Sequence, residues 1–207
     1  MASSKPVLHY LDIGSLGRGE VVRLFLVDAG IEFQDKRYPF DGTWSSTSAD
    51  LKSQGISRTG LVPVLEYKGT CLSQHMPTLR YLARELGSYD GESSSEKYTV
   101  DTVADLYIDW RAEWVRNLNT VTDEYKNKVA PEYYNLVAHY YKDGSGPFLL
   151  GDKITYADFA IYQSIDNDAK IGTLPKQLPG PLLALKKAME ARPKIAAYLQ
   201  SDRKTSS

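Results

Sequence analysis

The stretch Gly60–Arg84, GLVPVLEYKGTCLSQHMPTLRYLAR, predicts the local structure around which the chain is organised. Val64–Tyr67 and Thr70–Leu72 are short apolar runs on either side of the turn signal Lys68-Gly69, and they predict a β-hairpin. Apolar residues then recur with helical spacing from His75 onward, which predicts a helix. Because a helix N-terminus presents free backbone N–H groups and the positive end of its dipole, this start is a natural seat for a carboxylate.

A proline at the entrance to the hairpin indicates a shaped backbone. Val62-Pro63 stands directly before the first apolar run, and a cis bond is a candidate at this position. Such a bend would leave the N–H and C=O of Val62 available to an extended peptide. Together with the helix N-terminus, the stretch predicts a site for a small, anionic, peptide-like ligand.

Composition restricts the possible classes of protein. The chain has 207 residues, enough for one large or two small domains, and a formal net charge of −1, which gives no electrostatic case for a nucleic-acid or membrane partner. The single Cys71 and the three histidines lack the spacing of a disulfide framework or a metal site. No run reaches the ~18 apolar residues of a membrane helix, and the N-terminus lacks the apolar core of a signal peptide. We therefore expect no metal and a cytoplasmic location.

Strand and helix signals alternate ahead of the hairpin. Val7–Ile13 predicts a first strand, Glu20–Ala29 a helix that Gly30 ends, and Ile31–Tyr38 a second strand. Asp41–Gln54 predicts an irregular or short helical segment. With the hairpin and its helix, the order is β-α-β-α-β-β-α, in which the two strands joined by a helix are parallel and the hairpin adds an antiparallel edge.

The rest of the chain is helical in pattern. Gly87–Glu96 is polar and rich in Gly and Ser, which predicts a linker. Beyond it, Lys97–Lys128 has apolar residues at helical spacing, and Thr155 with Asp158 fits a capping box. We predict an α/β domain at residues 1–86, a linker at residues 87–96 and an all-α helical bundle at residues 97–207.

Several motifs follow one another in the order of a known family. Tyr10-Leu11-Asp12-Ile13 and Gly17–Arg23 (GRGEVVR) form the first strand and helix, and Gly151–Asp158 (GDKITYAD) is the most specific single match. In these motifs the chain resembles the cytosolic glutathione transferases, in particular the tyrosine-type mu, pi and sigma classes. The resemblance implies a thioredoxin-like, glutathione-binding first domain and a homodimer. It also implies a detoxification transferase that conjugates glutathione to a hydrophobic electrophile.

The resemblance assigns roles at the glutathione site. Tyr10 would donate a hydrogen bond to the sulfur, because a thiol has a pKa of about 8.5 and only its thiolate attacks. The backbone of Val62, before cis-Pro63, would pair with the cysteinyl residue. Gln74 and the backbone amide of His75 would hold the γ-glutamyl carboxylate.

Further residues would complete the site. Trp44 and Lys52 would meet the glycyl end, and Arg18 would brace the site or contact the electrophile. Asp109 of a partner subunit would meet the γ-glutamyl ammonium. Structural alternatives stay open, namely surface packing for Trp44, a solvated charge for Lys52 and a pair with Arg111 for Asp109.

Two departures from the family pattern affect the site. The spacing from Tyr10 to Arg23 is longer than in tyrosine-type members, because Gly14–Gly17 holds extra residues. Ser15 therefore stands roughly where serine-type classes carry their activating hydroxyl, and it is the alternative donor. His75 stands where the family usually has Ser.

Two other functions are compatible with these residues. One is a glutathione-dependent isomerase or biosynthetic-pathway enzyme, in which the thiolate adds to the substrate and later leaves. The other is a non-catalytic member that binds glutathione or other ligands, because a fold does not fix a function.

Overall fold

The computed structural model describes residues 5–142 and 144–201, which form two compact units. The first unit contains residues 5–82 together with residues 193–201, and the second runs from Ala83 to Arg192. The predicted division into a domain at residues 1–86, a linker at 87–96 and a domain at 97–207 stays a prediction.

A four-stranded sheet in the order β2-β1-β3-β4 is the centre of the first unit. The strands are β1 (Val7–Leu11), β2 (Gln34–Tyr38), β3 (Val64–Tyr67) and β4 (Thr70–Ser73). β1 is parallel to β2, whereas β3 is antiparallel to β1 and to β4. The helices between and after them are α1 (Arg18–Asp28), α2 (Trp44–Ser53) and α3 (His75–Leu86). The predicted order β-α-β-α-β-β-α and fold class are confirmed.

Apolar packing explains why α1 lies on this sheet. Leu8 of β1 and Leu24 and Phe25 of α1 are buried in the core, and burial of each such side chain contributes roughly 1.5–3 kcal/mol. Gly30 follows the helix with a φ of 69°, which a glycine adopts without strain. It ends α1 at the predicted place.

The second unit is helical, as predicted. Its elements are α4 (Ser94–Asn117), a π-helical turn (Tyr125–Val129), α5 (Ala130–Tyr141), α6 (Tyr156–Ile171) and α7 (Gly180–Ala191). The last helix, α8 (Pro193–Leu199), belongs to the first unit.

α4 ends earlier than the helical pattern of Lys97–Lys128 predicts. The buried side chain of Asn117 stops it, because Asn117 Oδ1 accepts from the N–H of Thr122 at 3.0 Å and from its hydroxyl at 2.8 Å. A local side-chain bond to the backbone competes with helix formation in this way.

A buried carboxylate on α6 connects several helices of the second unit. Asp168 accepts from Trp110 Nε1 at 2.9 Å, from the Tyr134 hydroxyl at 2.6 Å and from the Tyr125 hydroxyl at 2.9 Å. Burial, and then the Asp168 charge, raise the pKa of Tyr125 and Tyr134, so both phenols remain protonated and donate. The buried charge is therefore satisfied by neutral donors.

The start of α6 holds a second buried carboxylate, Asp158. Asp158 Oδ2 accepts from the N–H of Thr155 at 2.6 Å, as the predicted capping box requires, while Oδ1 accepts from Tyr141 and from the N–H of Leu149. Burial raises the pKa of Asp158 to about 6, although these donors act in the opposite direction.

We expect this carboxyl to make the unfolding free energy depend on pH. Because the pKa is about 6 in the folded protein and about 3.9 in an unfolded chain, the folded state binds more protons between these values. The unfolding free energy should therefore fall by roughly 3 kcal/mol as the pH rises through this window. Urea unfolding of the wild type and of Asp158→Asn, which cannot titrate, measures the effect. If the free energies of unfolding of the two proteins had the same pH dependence, the predicted role of Asp158 would be contradicted.

Candidate active site

Tyr10 lies near the end of β1 and packs against the start of α1. Its hydroxyl oxygen accepts the backbone N–H of Arg18 at 2.7 Å, and the side chain is 5% exposed. A Cβ on Gly17 or Gly19 would lie within 3.3 Å of Tyr10 atoms, so both positions require glycine. Because the Arg18 N–H bonds to a lone pair of the Tyr10 oxygen, the proton of the Tyr10 hydroxyl remains available to another acceptor. The positive end of the α1 dipole reaches the same oxygen.

The loop between Tyr10 and α1 carries the second candidate hydroxyl, that of Ser15. Ser15 is buried, and the turn that contains it is fixed by a bond from the N–H of Leu16 to the carbonyl of Ile13 at 3.2 Å. Arg23 Nη1 also donates to the carbonyl of Gly14 at 3.3 Å. Which hydroxyl would serve the sulfur stays a prediction.

The Val62-Pro63 bond is cis, as predicted. The last pair between β1 and β3 is His9 with Val64, so the backbone of Val62 lies beyond the ladder. The predicted role of Val62 as a partner for an extended peptide is compatible with this position.

Helix α2 packs against the turn before Pro63 and carries Trp44 and Lys52. Trp44 is half-buried at the first position of the helix, and Lys52 is exposed near its end. A Cβ on Gly60 would lie 2.7 Å from Lys52 Cε, so the lysine stem passes directly over this turn. Ser48 holds the same turn through a bond to the carbonyl of Gly60 at 2.9 Å.

Gln74 occupies the position before α3 with a φ of 68°, which is uncommon for a residue other than glycine. Its carbonyl accepts the N–H of Thr78 at 3.0 Å, and its side chain is exposed. The ring of His75 is buried. The backbone N–H of His75 is therefore the group of this residue that suits a ligand carboxylate at the helix start.

Strand register places these segments at one end of the sheet. β3 runs antiparallel to β1, so the end of β1 at Tyr10 and the approach to β3 at Val62 share that end. β4 pairs Ser73 with Val64, which adds Gln74 to the same end. The structure thus brings together three groups that the sequence predicted separately.

Asp109 lies in the second unit, exposed on α4. Arg111 is completely buried and donates to Asn167 Oδ1 at 3.0 Å and to the Tyr107 hydroxyl at 3.0 Å, so its partners belong to the core. The cross-subunit role of Asp109 stays a prediction.

Free cysteines are ordinarily among the most buried residues, and Cys71 differs from this tendency. It lies exposed on the edge strand β4, where alternate side chains point away from the core. Partial desolvation, and then the carboxylate of Glu66 on the neighbouring strand, raise the pKa of its thiol. The thiolate is the reactive form, so this environment does not activate Cys71.

Sequence reasoning missed a buried ion network behind Tyr10. Arg23 pairs with Glu20 at 3.4 Å and with Asp35 at 3.0 Å, and its guanidinium carbon lies 5.7 Å from the centre of the Tyr10 ring. The only sequence signal is the i, i+3 spacing of Glu20 and Arg23, which is also typical of a solvated helix face.

Other features of the described residues lie outside this site. Two cavities of about 760 and 510 Å3 in the second unit share no lining residue with it. Within residues 5–142 and 144–201, no cluster of three or more His, Cys, Asp or Glu side chains is arranged to hold a metal ion. Among the same residues, no helix has the length and apolar character needed to cross a bilayer.

Comparison with known proteins gives a consistent result. Residues 6–84 match the family model for the glutathione S-transferase N-terminal domain, and residues 108–202 match that for the C-terminal domain. The chain is 28% identical to glutathione S-transferase P 10 of Caenorhabditis elegans, over 94% of this chain and 90% of that protein. It is 33% identical to probable glutathione S-transferase 9 of the same organism, over 76% and 80%. The solved Pi-class glutathione S-transferase of Onchocerca volvulus superposes with a TM-score of 0.82 at 26% identity, covering 96% of this chain and 93% of that one. The chain belongs to the glutathione S-transferase family.

Proposed function

We propose that this family member conjugates glutathione to apolar electrophiles and that Tyr10 activates the thiol, as in tyrosine-type members. The observation that carries the proposal is the bond from the Arg18 N–H to the Tyr10 hydroxyl. It fixes the hydroxyl at the positive end of α1 and leaves its proton to donate.

The chemistry follows from the acidity of the thiol. A thiol with a pKa of about 8.5 is mostly protonated at neutral pH, and each unit of lowering requires ~1.4 kcal/mol of preferential stabilisation of the thiolate. The Tyr10 hydroxyl and the α1 N-terminus both favour a negative sulfur. Attack on an electrophile held beside the sulfur then combines an activated nucleophile with proximity.

The same end of the sheet offers partners for the rest of the tripeptide. The Val62 backbone would pair with the cysteinyl residue, and Gln74 with the His75 N–H would hold the γ-glutamyl carboxylate. Trp44 and Lys52 would hold the glycyl end. Arg18 would brace the site from the first turn of α1.

The proposal includes a cytoplasmic homodimer in which Asp109 of one subunit meets the γ-glutamyl ammonium bound to the other. The exposure of Asp109 supports an intermolecular role. If solution scattering gives the mass of a single chain, the contact of Asp109 with a ligand on another subunit is excluded.

Calorimetry with glutathione and an assay with chlorodinitrobenzene test the function. We expect binding and conjugate formation. No heat of binding at millimolar glutathione would overturn the proposal. Binding without turnover would favour the non-catalytic alternative, and a rearranged substrate with glutathione recovered unchanged would favour an isomerase.

We expect Gln74→Ala to weaken glutathione binding by about tenfold, because a hydrogen bond to a charged group contributes about 1.5 kcal/mol. Gln74→Gly is the matched variant, since it also removes the side-chain amide but adopts the φ of 68° without strain. Both should bind glutathione equally weakly in calorimetry, whereas only Gln74→Gly should relieve backbone strain and unfold at higher urea. Wild-type affinity in both variants would exclude a ligand contact by this side chain.

A further inference from the structure

A row of buried polar groups connects helix α8 to the loop that follows β1. The Tyr198 hydroxyl donates to Glu20 Oε2 at 2.9 Å, and the same oxygen accepts from Arg23 Nη1 at 3.4 Å. Arg23 Nη1 also donates to the carbonyl of Gly14 at 3.3 Å, and the guanidinium lies 5.7 Å from the centre of the Tyr10 ring. These contacts join the C-terminal helix to both candidate activating segments.

The row is shielded from water, so each of its bonds matters. Tyr198 is 4% exposed, Glu20 is 1% exposed and Arg23 is completely buried. Burial opposes the charge of Arg23, but the carboxylates of Asp35 and Glu20 outweigh it and raise the pKa of the guanidinium. Arg37 pairs with Asp35 as well, at 2.9 Å. Arg23 is therefore a permanent cation beside Tyr10.

Arg23 Nη1 divides its hydrogens between the Glu20 carboxylate and the Gly14 carbonyl. The Tyr198 hydroxyl and Arg23 Nη1 donate to the same atom, Glu20 Oε2. Because Tyr198 occupies part of this acceptor, Glu20 attracts Arg23 less strongly and Arg23 keeps its bond to the Gly14 carbonyl. We propose that Tyr198 is a positioning residue for thiol activation, acting through Glu20 and Arg23 on the β1–α1 loop and on Tyr10. This inference rests on the proposed glutathione transferase function.

Tyr198→Phe tests the inference, because it keeps the ring and removes only the hydroxyl. Glu20 Oε2 is then left to Arg23, so Nη1 moves toward Glu20 and the loop at Gly14 loses a restraint. We expect the thiol pKa of bound glutathione to rise by about half a unit and kcat/KM at lower pH to fall about threefold. KM for glutathione should change little, since Gln74 and Lys52 lie outside the row.

Glu20→Gln should act in the opposite direction. A neutral amide still accepts a hydrogen bond from Tyr198 but attracts the Arg23 guanidinium less strongly than a carboxylate does. The guanidinium can then lie closer to the Gly14 carbonyl and to the Tyr10 ring. The thiol pKa should therefore fall or stay unchanged. If the row had only a structural role, both variants would raise the thiol pKa. A rise in the thiol pKa in Glu20→Gln would therefore overturn the inference. This test remains valid even if Tyr198→Phe does not fold.

The thiol pKa is measured from the pH dependence of kcat/KM and from the ultraviolet absorption of the thiolate in the complex. Tyr162→Phe is the matched control, because Tyr162 donates to Glu190 at 3.4 Å in the second unit and should leave the thiol pKa unchanged. An active wild type whose thiol pKa is unchanged in Tyr198→Phe would overturn this inference alone. A wild type without glutathione turnover would overturn the proposed function with it.

Discussion

We expect Tyr10→Phe to lower kcat/KM for glutathione conjugation by about 100-fold or more, the usual cost of removing a donor from a developing anion. Phenylalanine keeps the ring against Gly17 and Gly19 but removes the donor to sulfur and the acceptor of the Arg18 N–H. The thiol pKa should return toward about 8.5, so the remaining activity should rise with pH. A pH series of kcat/KM with chlorodinitrobenzene measures both effects.

Two further variants show whether the loss is specific to Tyr10. Tyr38→Phe removes the hydroxyl of a neighbouring strand that bonds His9 Nδ1 at 2.7 Å, on the other face of the sheet, and should keep wild-type kcat/KM. Ser15→Ala should cost only a few-fold. The reverse pattern, with Ser15→Ala inactive and Tyr10→Phe active, would assign thiol activation to Ser15.

Gly19→Ala should have the second large effect, because its new methyl group would overlap the Tyr10 ring. The methyl would lie 3.0 Å or less from Tyr10 Cδ1, Cγ and Cβ, and the buried ring has little room to yield. A displacement of about 1 Å at a catalytic group can cost ~100-fold in rate. Overpacking should also destabilise the fold by about 1–3 kcal/mol, which the helix propensity of alanine offsets by about 1 kcal/mol.

Gly180→Ala is the matched control for this prediction. Gly180 begins α7, and a Cβ there meets no atom within 4 Å, so the variant should keep its activity and gain slightly in stability. Conjugation rates and urea unfolding of both variants provide the comparison. Wild-type activity in Gly19→Ala would mean either that the ring moves without consequence or that Tyr10 is not the donor.

The first unit was largely predictable because its signals are local. The apolar runs around Lys68-Gly69, the cis-Pro63 and the stop at Gly30 each depend on neighbouring residues, and the structure has all three. The end of α4 at Asn117 was not predictable from apolar spacing, because the bond to Thr122 overrides a helical pattern that continues beyond it.

The site was predictable only in part. The motifs predicted Tyr10, Val62 and Gln74, which lie at one end of the sheet, since each stands in a short segment with its own pattern, and their roles toward a ligand stay predictions. The contact of Tyr198 with Glu20 joins residues separated by 178 positions, and a single sequence carries no signal for a pair so distant. The burial of Arg23 was missed for a different reason, because a charged residue on a helix ordinarily faces water.

The placement of α8 has a consequence for synthesis on the ribosome. Tyr198 reaches the buried Glu20, and Lys194 reaches the carbonyl of Asp28 at 3.5 Å, so the unit that begins with β1 also needs residues from near the other end of the chain. During translation, the N-terminal half emerges first, and the bond from Tyr198 to Glu20 forms only after this helix has been made. Folding of this protein therefore cannot proceed strictly from the N-terminus to the C-terminus, as is usual for successive domains. The first part to be translated is among the last to be completed.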